Sequence, residues 1–152
     1  MELNKLTFLV AVQAFVQDKI NTVQQELDQL RAEMASDTKS TAGDKHETAR
    51  AMAQLEMEKL GKQSLEYQKQ LQVIAQFSVN GHLNSTNIQA GSLVQLSSGY
   101  FFLGIPLGKI DINGIPVFCL SLQSPLGQQL LNKKMGEEIT LPNLKSSVIS
   151  IR

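Results

Sequence analysis

The sequence predicts an α+β protein: an antiparallel helical hairpin followed by a small, mostly antiparallel sheet packed on one short helix. Three observations carry this. Residues 1–78 hold only two of the ten glycines, Gly43 and Gly61, and all four prolines lie beyond residue 100. Glycine and proline are scarce in long helices and common between short strands. The first half carries two apolar series at helical spacing, and the second half breaks into short strand-like runs separated by turn residues.

The first series is Val12, Val16, Ile20, Val23, Leu27, Leu30 and Met34, and the second is Ala53, Met57, Leu60, Ser64, Tyr67, Leu71 and Ile74. Steps of three and four residues are those of a coiled-coil seam. Numbered against each other in antiparallel order, the six facing pairs from Met34 with Ala53 to Val16 with Leu71 sum to 87, as in Leu30 with Met57 and Leu27 with Leu60. That register puts the reversal between Gly43 and Asp44, where glycine can supply the positive φ of a turn. Each arm of about 30 residues runs roughly 45 Å at 1.5 Å per residue. Ser64 weakens one layer of the seam, and Gly61 softens the second arm nearby. A parallel dimer of one long helix is the competing arrangement. Leu6 to Val16 after Lys5 reads as the start of the first helix rather than a signal peptide, because Gln13 interrupts the run and the periodicity continues beyond it.

Ser78 to Gln89, rich in Asn, Gly and Ser, marks the expected boundary. The domains are therefore 1–78, with the hairpin tip near 37–48, and 79–152. Strand-like runs follow at Ser92–Leu96, Tyr100–Ile105, Lys109–Ile112, Ile115–Leu122, Glu138–Leu141 and Ser146–Ile151. Asn113-Gly114 between two of them is a hairpin-turn signal. Ser124 to Asn132 reads as the short helix, with Ser124 as N-cap and Pro125 at the first helical position.

Composition excludes several classes. Fourteen bases balance fourteen acids, against the basic excess that broad nucleic-acid binding needs. No apolar run reaches the roughly 18 residues of a membrane span. A single cysteine, Cys119, forms no internal disulfide and fits a reducing, cytoplasmic setting. It lies in the apolar run Val117–Leu120 and reads as core. His46 and His82 are too far apart for metal-ligand spacing, and there is no phosphate loop or nucleophile elbow. A complete active site of its own is not expected.

The tip carries the remaining chemistry. Asp44 and Glu47 are three apart, on one face of a helix that starts there. They fit a capping box, with Asp44 as N-cap and Glu47 reaching back to its amide, a device contributing about 1 kcal/mol. They equally fit a shared site for a hard divalent cation such as Mg²⁺, whose shell is completed by another molecule.

Ser124-Pro125-Leu126-Gly127, running on to Lys133-Lys134-Met135-Gly136-Glu137-Glu138-Ile139, resembles the Ser-Pro-Ile-Gly and Gly-Lys-Lys-Val-Gly-Asp-Glu-Val stretches of the bacterial transcript cleavage factors GreA and GreB. Ala90-Gly91-Ser92-Leu93-Val94 is similar to the family's Gly-Ser-x-Val at the start of the globular domain. Gly43, Asp44, Glu47 and Ala49 match the family tip Gly-Asp-Leu-Lys-Glu-Asn-Ala-Glu-Tyr position by position. The resemblance covers the whole chain. It implies an FKBP-like fold for 79–152 and a coiled coil that enters the secondary channel of RNA polymerase. It also implies that Asp44 and Glu47 help hold an Mg²⁺ shared with the polymerase, so that the polymerase hydrolyses backtracked RNA near the nascent 3′ end. The protein would then have no cofactor of its own, would not itself be an enzyme, and would act as a cytoplasmic monomer away from membranes. Ser124, Pro125, Gly127, Lys133 and Lys134 are the implied partner-binding residues, with Lys109 a further exposed basic candidate.

Thr48, Arg50 and Ala51 stand where the family has Asn, Glu and Tyr, and Lys45, His46 and Arg50 surround the two acids with basic groups. A channel-binding modulator without cleavage activity is therefore a second reading, and Asp37 supplies a third acid near the tip. A coiled-coil interaction module with a sheet platform is a third. A prolyl isomerase is the fourth, suggested by the fold alone, with Tyr100, Phe101, Phe102 and Phe118 better read as core.

Overall fold

The computed structural model describes residues 3–37, 43–79 and 86–152, with side chains except those of 37, 43–46, 78, 79 and 141. Helix α1 spans Lys5–Asp37. Asn4 starts it: its side-chain oxygen accepts from the Leu6 N–H at 2.7 Å and its carbonyl from the Phe8 N–H at 2.9 Å, an N-cap arrangement. Helix α2 spans Gly43–Val79. By compactness the chain forms two units, one of Gln13–Gln72 and one that joins Met1–Val12 to Val73–Arg152.

In the helical unit the seam positions are the shielded ones. Val16, Val23 and Leu27 are buried and Ile20, Leu30 and Met34 half-buried, as are Met57, Tyr67 and Leu71 on the other arm. Val23, Leu27 and Leu60 form the buried cluster, with Leu30, Met57 and Tyr67 packed against it. Leu27 with Leu60 and Leu30 with Met57 are pairs of the antiparallel register, so the two arms of one chain fill each other's seam. The reversal is displaced from its expected place. Helix α1 ends at Asp37 and α2 already includes Gly43 and Asp44, so the fold-back expected between those two residues falls inside the helix instead. Gly43 has joined a right-handed helix, whose φ is negative, and is not the turn residue. Gly61 lies inside α2 without breaking it.

The second unit contains β1 (Leu93–Leu96), β2 (Gly99–Leu103), β3 (Gly108–Ile112), β4 (Ile115–Leu120), helix α3 (Pro125–Leu130), β5 (Glu138–Leu141) and β6 (Leu144–Ile151). All six strands and the short helix fall where the sequence places them, within one or two residues. The sheet order is β3-β4-β2-β1-β6-β5. It is mixed rather than wholly antiparallel: β2 pairs with β4 in parallel, Phe101 beside Phe118 and Phe102 beside Cys119. The β3–β4 hairpin turns at Asn113 and Gly114, both at positive φ. It docks through its second strand, so β4 takes the place beside β2 and β3 becomes the edge.

Strand alternation gives the sheet two apolar faces. Val94, Leu96, Phe101, Leu103, Ile139 and Val148 form one core with Ile88 and with Leu130 of α3. On the other face Leu93, Phe102, Val117 and Cys119 are buried. There the Phe102 ring lies 4.7 Å from that of Phe8 and 5.7 Å from that of Phe77. Composition changes at 78–89, whereas compactness divides the chain within the helices. The reason is that the helix ends supply Phe8, Leu9, Val12 and Ile74 as buried side chains of the sheet-containing unit. Among the described residues no helix is long and apolar enough to cross a membrane.

Candidate functional site

The first candidate is the start of α2. Because α2 begins at Gly43, Asp44 lies in its first turn and Glu47 one turn later. At 3.6 residues and 5.4 Å per turn, their Cα positions are about 60° apart around the axis and about 4.5 Å apart along it. A negative charge in the first turn also offsets the positive end of the helix. Glu47 is exposed, as are Thr48, Ala49, Arg50 and Ala51. The Asp44 side chain lies outside the described residues. So do those of Asp37, Lys45 and His46, and with them the capping box and the shared-cation arrangement.

The second candidate follows β4. Ser124 caps α3: its Oγ accepts from the Gly127 N–H at 3.0 Å and donates to the Ser121 carbonyl at 2.8 Å. Pro125 takes the first helical position, where its missing N–H costs nothing. Gly127 is needed for space, since a Cβ there would overlap the Ser121 carbonyl oxygen and lie 2.8 Å from Ser124 Oγ. Ser124 and Gly127 are thus committed to building the turn. Pro125 and Lys133 face outward, and with Gln128, Gln129 and Leu131 they line a shallow groove. Lys133 forms an ion pair with Glu137 at 3.7 Å, while its backbone carbonyl accepts from the Ile88 N–H at 2.8 Å. Lys134 is exposed and its backbone bridges to Asn87. The sequence reading missed Gln128, Gln129 and Leu131 as groove residues. The signal was present, because Leu126 and Leu130 are four apart and mark the inward face of α3, leaving 125, 128 and 129 outside.

No family model matches the chain. No curated protein matches it either. The chain is similar to the solved structure of the transcription factor Gfh1, at 12% identity over 91% of this chain and 92% of that one, with a TM-score of 0.34.

The remaining chemistry-bearing residues are quiet. Burial pushes the Cys119 thiol up to about 12, so the thiolate that would act as nucleophile is suppressed. Phe101 and Phe102 sit in the two cores, as read from the sequence, and Phe118 stacks on Phe101 at 5.5 Å with 38% of its surface exposed. Lys109 is exposed on the edge strand opposite Phe118. His82 lies outside the described residues. Among the described residues no three His, Cys, Asp or Glu side chains gather as a metal site.

Proposed function

We propose that this protein is a Gre-like transcription elongation factor, which binds RNA polymerase, places its helical hairpin in the secondary channel and stimulates cleavage of backtracked RNA. The observation that carries the reading is the start of α2. The sequence motif that resembles the Gre tip falls at the closed end of an antiparallel helical hairpin, with Glu47 exposed one turn beyond Asp44. Carboxylates at the start of a helix would be able to approach a catalytic centre that the chain does not itself contain. The bound ion would supply charge neutralisation and an activated water. The chain's part is to bring two oxygen ligands at fixed spacing. The protein is then not an enzyme itself, and it shares its cation with the polymerase. It works in the cytoplasm as a monomer, touching the nascent RNA 3′ end only through the polymerase site.

A second reading, channel binding without cleavage, is favoured by one observation. Arg50, exposed and one turn after Glu47, places a permanent positive charge beside the acids and weakens the local attraction for a cation. Both readings require polymerase binding. A pull-down of the cognate core polymerase with the full chain tests them together. Retention of polymerase, competed by excess free chain, is expected, and no retention overturns both in favour of an interaction module with another partner. Solution scattering that gives a dimer would contradict the monomeric hairpin.

A further inference from the structure

We draw no further inference here: the strongest candidate, the shallow groove on one flank of the hairpin where Glu26, Glu33 and Glu56 rim Leu30 and Leu60, is an acidic cluster with no second feature among the described residues that points to a ligand.

Discussion

Phe77, near the end of α2, closes its ring over Gly91: a Cβ on that glycine would lie 2.7 Å from Phe77 Cδ1. The same ring covers Gly104, where a Cβ would lie 2.9 Å from Cζ. Both glycines also hold positive φ, +87° and +123°. Phe77 is thus seated in a socket that only glycine can form. Gly91→Ala should lower the stability of the sheet-containing unit by about 2–4 kcal/mol, combining overpacking with left-handed strain. Gly108→Ala, at positive φ with open space around it, should cost only about 1–2 kcal/mol. Denaturant unfolding of both variants checks this, and equal losses would contradict the socket.

Gly61 sits inside α2, and apart from its own helical backbone nothing described lies within 4 Å of where a Cβ would stand. Gly61→Ala should therefore stabilise the hairpin by about 0.5–1 kcal/mol through helix propensity alone. Ser64, half-buried in the seam, accepts from Gln68 Nε2 at 3.3 Å. Hydrogen exchange across 57–70 should slow in Gly61→Ala. Faster exchange there would mean that the glycine serves a bend in the arm.

Glu33 and Glu56 line the same groove from opposite arms. Like charges held together across a helix pair oppose folding. Glu56→Lys should stabilise the hairpin by roughly 0.2–1 kcal/mol and so raise its melting temperature slightly, and the gain should fade at 1 M salt. Circular dichroism melts at low and high ionic strength read it directly. A gain that persists in salt would point to packing rather than charge.

The Cys119 thiol, held near 12 by burial, should resist aromatic disulfide reagents at pH 8 in the native protein and react at once in denaturant. Its folded value lies above its unfolded one. The native state therefore keeps the proton longer, the contribution to stability is complete below about 9, and it is lost progressively as pH rises from 9 towards 12. Rapid labelling under native conditions would contradict the burial.

Much of this architecture is legible from local chemistry. Three-four spacing identifies both seams because an amphipathic helix has one period. The constant facing sum then fixes the arm register, as the Val23–Leu27–Leu60 cluster bears out. Strands, the Asn113-Gly114 turn and the Ser124 cap are also short-range signals. What the sequence does not show is long-range. Alternation marks β2 and β4 as strands without saying that they pair in parallel, since that pairing depends on which edge the β3–β4 hairpin presents. The Phe77 socket joins residues distant in sequence, and nothing local marks Gly91 or Gly104 as its floor. Seam register locates an axis of symmetry at Gly43–Asp44, yet α2 already includes both residues, because symmetry of the seam does not decide where a helix starts. Of the candidate site residues, Ser124 and Gly127 proved to be builders of the α3 turn, while Pro125, Lys133 and Lys134 keep outward faces.

In the proposed function Asp44 and Glu47 act together at the polymerase catalytic centre. The most direct test is Mg²⁺-dependent RNA cleavage by a backtracked complex of the cognate polymerase, with wild type compared to Asp44→Ala and Glu47→Ala. Wild type should release short 3′ RNA and leave a re-extendable transcript. Each variant should lose at least tenfold in cleavage rate while binding polymerase as wild type does. Full stimulation by either variant, or no stimulation by a wild-type chain that binds normally, would contradict it.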